Sequence, residues 1–290
     1  MKSFMRSFVN TVKSYGGLWW LLWSRRHDPE YARIMDKLWL NRRRASALVD
    51  PMHGFGMFGS AMPPLELHDR HDAPSVYFSA LTSRPFWPED GLTALLKANV
   101  DLIRDEFQAI NTRDHRKDTR DVKLTKSGWT VFSLLDASGN KIEANCARCP
   151  KTTALVESLP SMNGTNAWTM AYFSIMAPGT HVRRHMGPGN LKRRYHLGLE
   201  VPERDSYLMV HNRIASWRNN ECIVFDDSYK HEVFHQSDQR RVVFIVDIPH
   251  PELTAAERDF FNKLAIATQG TSLAEDVYAP TDAQRGAPQA

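Results

Sequence analysis

A chain of 290 residues can bury the core of one large domain or of two small ones. Its 42% hydrophobic and 24% charged residues are ordinary for a globular protein, and a net charge of +4 is too small to argue for nucleic acid as a partner. The three cysteines suit a reducing compartment better than a disulfide scaffold, and no apolar run reaches the roughly 20 residues that a membrane span needs.

The N-terminal stretch MKSFMRSFVNTVKSYGGLWWLLWSRR is the first distinctive element. Phe4, Phe8 and Val12 share a helical face with Met5 and Val9, Lys2, Arg6 and Lys13 lie elsewhere, and Trp19, Trp20 and Trp23 precede Arg25-Arg26. No small-residue cleavage site follows the apolar part, so the stretch does not read as a signal peptide. Such a helix either lies in a membrane interface, which would make residues 1–26 a peripheral membrane contact, or packs on the domain or on a second subunit. The compartment implied is cytoplasmic, at the membrane surface under the first reading.

Residues 29–48 predict a helix with a proline at its start, and 49–87 an extended loop rich in Pro, Gly and His. Residues 88–110 predict a helix with Leu92, Leu95, Leu96, Asn99, Ile103 and Phe107 at helical spacing, and 111–126 a polar, basic loop. From residue 128 the texture changes to short β-branched and aromatic runs: WTVFSLL, WTMAYFSIM, RYHLGLEV, SYLMVH, CIVFDD, HEVFH and RVVFIVDI. Runs of this kind predict an antiparallel sandwich or barrel, with helices near 150–159 and at 254–267. Four regions result. Residues 1–27 form an amphipathic, basic, Trp-rich helix; 28–127 helices and loops that pack on the core; 128–268 the β core; and 269–290 a disordered tail. The fold class is mainly β with flanking helices (α+β).

Several polar residues fall where burial is expected. Arg194 and His196 are two apart on one strand and share a face. Arg241 opens an otherwise apolar strand, where a charged side chain requires an anionic partner. His231 follows Asp226-Asp227 among aromatic residues. In HVRRHMGPGN, His185 stands two residues before Gly187, where many iron enzymes write His-x-Asp. Prolines and glycines on both sides argue against a helical His181/His185 pair and leave His181 structural or pocket-lining. Cys146-x-x-Cys149 lacks a second matched pair of zinc ligands and reads as two ordinary thiols near a turn, with a thioredoxin-like motif as the alternative. Together these residues describe a small cavity of imidazoles and guanidiniums with carboxylates nearby.

Four stretches, SIMAPGTHVRRHMGPGN, RYHLGLEVP, FDDSYKHEVFH and RRVVFIVDIPHPELT, resemble the aspartyl/asparaginyl β-hydroxylase family of iron- and 2-oxoglutarate-dependent dioxygenases. YFSALTSRPFWP, NVDLIRDEF and CPKTTALVESLP extend the resemblance over most of 77–260. It implies a double-stranded β-helix core, a cupin-like jelly-roll, with Fe(II), 2-oxoglutarate and O2 as cofactor and cosubstrates. His185 and His231 match the family's two histidine ligands. Gly187 stands where the wider superfamily has the acid of its facial triad, and Asp227 matches an acid that hydrogen-bonds the water in that position. Arg241 and Ser174 match the groups that receive the distal carboxylate of 2-oxoglutarate, and Arg194 and His196 those near its iron-chelating end. Lys192 stands where the animal enzymes have an arginine that grips the substrate carboxylate; lysine keeps the charge but loses the planar fork. The activity implied is hydroxylation of an unactivated C–H bond, foremost the β-carbon of an aspartyl- or asparaginyl-type acidic substrate, free, carrier-bound or in a peptide. Three alternatives stay open: hydroxylation of a lipid acyl chain at the membrane surface, a non-catalytic jelly-roll that binds an acidic ligand, and a two-histidine metal enzyme of another class.

Overall fold

The computed structural model describes residues 27–40, 74, 76–110, 116–117, 128–159 and 168–267. The N-terminal helix expected over 1–26, most of the Pro- and Gly-rich stretch, most of the basic loop after residue 110 and the tail lie outside these residues. No helix among the described residues is long and apolar enough to cross a membrane. The described chain falls into two compact units, one drawn from 27–82, 187–191 and 250–267, the other from 83–186 and 192–249.

In the first unit, α1 (Pro29–Lys37) starts at Asp28, whose carboxylate accepts from the backbone N–H of Glu30 at 2.9 Å. A helix running to residue 48 was expected. Instead the backbone turns extended at Leu38 and continues as β1 (Leu38–Leu40), because the apolar Leu-Trp-Leu run pairs antiparallel with β2 (Val76–Phe78). The Asn190 side chain bonds both the N–H and the carbonyl of Phe78, at 2.9 and 3.1 Å, and so satisfies backbone groups that the strand leaves open. On α6 (Ala255–Ala267), Phe260 meets Tyr31 and Phe261 meets Phe78 edge to face.

The second unit opens with β3 (Phe86–Trp87), α2 (Gly91–Ala98) and α3 (Val100–Gln108). The single helix expected over 88–110 is therefore two. Asp90 caps the first through a reciprocal bond with Thr93, and the break falls at Asn99, whose amide donates to the Leu95 carbonyl. After α4 (Glu143–Cys146), the Glu106 carboxylate on α3 accepts from the N–H groups of Lys151 and Thr152 and closes the N-terminus of α5 (Pro150–Glu157).

The remaining strands are β4 (Arg116–Lys117), β5 (Trp129–Leu135), β6 (Met170–Met176), β7 (His181–His185), β8 (Lys192–Glu200), β9 (Ser206–Val210), β10 (Arg213–Ser216), β11 (Cys222–Phe225), β12 (His231–His235) and β13 (Arg241–Pro249). They form a seven-stranded sheet in the order β3-β11-β8-β13-β6-β5-β4 and a four-stranded sheet in the order β10-β9-β12-β7, with every pairing antiparallel. From β6 onward the chain visits the two sheets in turn: β6, β8, β11 and β13 go to the large one, β7, β9–β10 and β12 to the small one. That alternation is a double-stranded β-helix, the jelly-roll expected from the sequence. β7 and β10 were not foreseen, since neither HVRRH nor RIAS alternates apolar with polar residues.

The period of two along each strand gives the large sheet two faces. Phe132, Phe173, Leu197 and Phe244 belong to the buried core shared with Leu96, Ile103 and Phe107 of the helices. Tyr172, Ser174 and Met176 alternate with Phe173 on β6 and line the opposite face, across from the small sheet. Gly198 on β8 allows the chain at 218–221 to lie against the strand: its N–H donates to Glu221, its carbonyl accepts from Asn220, and a Cβ there would collide with the Arg218 carbonyl oxygen. Replacing Gly198 by Ala is expected to cost about 1–3 kcal/mol, the usual range for overpacking, read as a lower urea midpoint with unchanged m.

Candidate active site

Between the two sheets lies a small cavity lined by Ser174, His185, Arg194, His196, His231 and Arg241 together with apolar side chains such as Val182, Leu208, Phe225 and Val233. Six of the eight site residues expected from the sequence therefore share one space. The other two, Lys192 and Asp227, lie in an ion cluster joined to it through Arg194.

The histidine pair is made by a β-bulge. His185 on β7 is the direct partner of His231 on β12, yet the next pair is Val182 with Val233. Three steps on β7 thus face two on β12, and the extra residue bends the strand at Arg183–Arg184. As a result Val182 and His185, of opposite parity, both reach the cavity while Arg183 and Arg184 stay exposed. The imidazole centroids are 4.1 Å apart. Each ring is tied at Nδ1 to a carbonyl two residues earlier, His185 to Arg183 at 2.8 Å and His231 to Tyr229 at 2.9 Å. A carbonyl can only accept, so each Nδ1 carries a proton, and in the neutral ring the Nε2 atom presents the lone pair. Two imidazoles close together, each held at Nδ1 by a carbonyl, suit a divalent metal. Among the described residues no third His, Cys, Asp or Glu joins them.

At the other side of the cavity the chemistry is cationic. Arg241 is 1% exposed, and its Nη2 donates to Ser174 Oγ at 3.2 Å. Its Nε and Nη1 have no hydrogen-bond partner, and no ion pair reaches it among the described residues. Burial pulls the guanidinium down to about 9, still charged at neutral pH. Trp129 Nε1 also donates to Ser174 Oγ, at 3.0 Å, which leaves the hydroxyl proton to be donated onward. The Trp217 ring lies 4.3 Å from the Arg241 guanidinium and stacks on His196, donating to its Nδ1 at 3.3 Å. His196 is held neutral by burial, reinforced by Arg194 and Arg241, so its proton sits on Nε2, a buried donor with no partner. The wall therefore presents a guanidinium, a hydroxyl and an imidazole N–H that all call for acceptor oxygens.

Arg194 sits opposite Asp247 in the β8–β13 register and grips it with Nε and Nη2, both at 2.7 Å. Its Nη1 reaches Asp227 at 3.2 Å, and Lys192 Nζ reaches Asp247 at 2.5 Å and Asp227 at 3.0 Å. Burial opposes the Asp247 charge, but Arg194 and Lys192 outweigh it and hold the carboxyl well below the usual carboxylate range. Two cations and two anions cancel here. Arg241 lies six residues back along β13, about 20 Å away, and draws no compensation from this cluster.

The sequence reading missed four contributors. Asp247, a lone acid in the apolar run RVVFIVDI, is the centre of the ion cluster. Trp129 and Trp217 gave no spacing signal. Asp226 shapes the loop before His231 by accepting from Ser228 N–H and Oγ, at 2.9 and 2.6 Å, and from Ser83 Oγ at 2.7 Å. His181 faces away from the cavity, bonded to Glu232 at 2.7 Å and stacked on Phe234. Cys146 and Cys149 are both free thiols packed in the core, and burial pushes Cys149 up to about 12, which suits two structural thiols.

Burial raises the Asp226 carboxyl to about 6, against the Ser228 and Ser83 bonds that favour its charge. A carboxyl raised on folding stabilises fully below its unfolded pKa and loses that contribution as pH rises to about 6. Between pH 4 and 6 the melting temperature of the native chain should therefore fall relative to that of Asp226→Asn, measured across that range.

The chain matches the aspartyl/asparaginyl β-hydroxylase family over residues 97–251. It is 38% identical to the human aspartyl/asparaginyl β-hydroxylase over 62% of this chain and 24% of that one. It is 36% identical to the ornithine lipid ester-linked acyl 2-hydroxylase of Rhizobium tropici over 54% of this chain and 57% of that one. It thus spans about a quarter of the length of the human relative and somewhat more than half of the bacterial one. A solved 2OG-Fe(II) oxygenase from Burkholderia pseudomallei superimposes with a TM-score of 0.38 at 14% identity, over 61% of this chain and all of that one. With more than half its length matched and its histidine pair, arginines and jelly-roll in place, the chain belongs to the aspartyl/asparaginyl β-hydroxylase family.

Proposed function

We propose that this protein is an Fe(II)- and 2-oxoglutarate-dependent dioxygenase that hydroxylates an unactivated C–H bond. The observation that carries the reading is Arg241: a buried guanidinium whose Nε and Nη1 lack partners, in the same cavity as two imidazoles held at Nδ1 by backbone carbonyls. An uncompensated buried charge is costly, and a dicarboxylate that also chelates a metal would relieve it. His185 and His231 would hold the metal. Arg241 and Ser174 would receive the distal carboxylate, and His196 Nε2–H would donate nearer the metal. Arg194 orients that wall through Asp247. Asp227 keeps Oδ1 uncommitted, as an acid that accepts from a water beside the metal would. Val182, Leu208, Phe225 and Val233 keep bulk water out. Bound together, iron, 2-oxoglutarate and O2 supply oxidative decarboxylation to succinate and CO2 with transfer of one oxygen atom into the C–H bond.

The substrate read from the sequence is acidic, a small molecule or peptide hydroxylated at an aspartyl-type β-carbon. A second reading, an acyl chain, is favoured by the apolar side chains of the cavity and by the lipid-acting Rhizobium relative. Succinate release separates them: an acidic peptide should raise it under the first reading, phospholipid vesicles under the second.

With Fe(II), ascorbate and 2-oxoglutarate the protein should form succinate slowly without substrate, and His185→Ala and His231→Ala should each abolish it. Native succinate formation at the level of both variants would refute the assignment. 2-Oxoglutarate at 100 times its Kd should stabilise the native fold by roughly 2.7 kcal/mol. Arg241→Met should remove that stabilisation in thermal melts while leaving the ligand-free protein no less stable, since it deletes a charge without a counterion.

A further inference from the structure

Lys192 occupies the position where the resemblance implied a grip on a substrate carboxylate. In this structure it is 5% exposed, with its ammonium 2.5 Å from Asp247 and 3.0 Å from Asp227. Arg194 holds the same two carboxylates. The four charges sum to zero, and all four side chains are at least nine-tenths buried. A substrate carboxylate arriving at Lys192 would have to displace one of two buried anions and leave it undercompensated. The wall therefore offers no free ammonium at this point.

What Lys192 does control lies one link away. Asp227 leads the loop from β11 to β12, immediately after Asp226, which Ser83 and Ser228 already anchor. Two residues further on, the Tyr229 carbonyl fixes His231 through Nδ1. Lys192 and Arg194 both bind Asp227 through Oδ2, and Oδ1 is buried with no partner. Lys192 sits on the first residue of β8, so it ties this loop to the large sheet.

We infer that Lys192 is a positioning residue for the metal site and not a substrate ligand: its ion pair holds Asp227 by one oxygen, keeps the other uncommitted, and sets the loop that orients His231. The inference rests on the oxygenase reading for its metal-dependent half only. Loop rigidity does not depend on that reading and tests it separately.

The test uses the full chain and three readouts that need no substrate. These are anaerobic Fe(II) titration, the visible charge-transfer absorption that Fe(II) develops with 2-oxoglutarate, and amide hydrogen exchange over residues 226–231 without metal. Lys192→Met should weaken Fe(II) binding about tenfold to a hundredfold, the range for removing a supporting partner of a ligand. It should also shift or erase the absorption band and speed exchange in the loop at least tenfold. Lys192→Arg should restore all three. Native-like values in Lys192→Met would overturn the inference, because losing a substrate contact moves none of them. If the native protein binds no Fe(II), the oxygenase reading fails, and faster or unchanged loop exchange still decides for or against Lys192. If Lys192→Met does not fold, Lys192→Met/Asp227→Asn removes one charge of each sign and keeps the cluster neutral. Its loop exchange should equal that of Asp227→Asn alone, and a further tenfold increase would count against coupling through Asp227.

Discussion

Buried charge is the constraint around which this jelly-roll is arranged. Two groups of ionisable side chains lie on the large sheet, and they are treated in opposite ways. At the Pro249 end of β13, Asp247 draws Arg194 and Lys192 into a cluster whose charges cancel. At the start of the same strand, Arg241 has a serine hydroxyl and an indole face beside it and no anion among the described residues. A fold selected for stability alone would do better with an apolar residue there. Keeping the guanidinium stores an unmet electrostatic demand in the cavity, and a ligand that brings the missing carboxylate gains what folding left unsatisfied.

The small sheet carries the complementary half. Its two imidazoles face each other because β7 and β12 pair at His185 and His231, and because the bulge turns the first of them inward. Each borrows a carbonyl from its own strand or loop, so ring orientation is set by backbone geometry at Arg183 and at Tyr229. The loop between β11 and β12 thereby becomes part of the site, and its two acids divide the work. Asp226 folds the turn on itself, and Asp227 fastens it to β8.

Much of this was legible in the sequence, for physical reasons that differ by element. β5, β6, β8, β9, β11, β12 and β13 announced themselves as apolar runs between turn residues, because both sheets bury one face at least. Arg194 and His196 shared a face by parity alone, and Arg241 stood out as a charge where apolar residues were due. β7 was hidden, since its bulge breaks the alternation and its exposed arginines look like a solvated turn. Asp247 was hidden for another reason: a single acid in RVVFIVDI says nothing of what lies across the sheet, and the β8–β13 register that places it opposite Arg194 is a long-range fact. Trp217 contributes through a loop, where no periodicity constrains the reading. The splitting of the helix at Asn99 turns on one side-chain amide competing for a helical carbonyl, a local choice that apolar spacing does not record.

The bulge has a consequence for how this site can vary. Arg183 and Arg184 are exposed and lie outside the cavity, and Arg184 donates to Asn212 Oδ1 at 3.0 Å. What cannot change is the bulge, which puts two residues of odd spacing, Val182 and His185, on one face. Were the bulge drawn out with that spacing unchanged, the strand would return to even pleating and His185, at odd parity to Val182, would swing out toward solvent with every chemical group still present. At this point of the chain the site is encoded in the path of the backbone and not in composition.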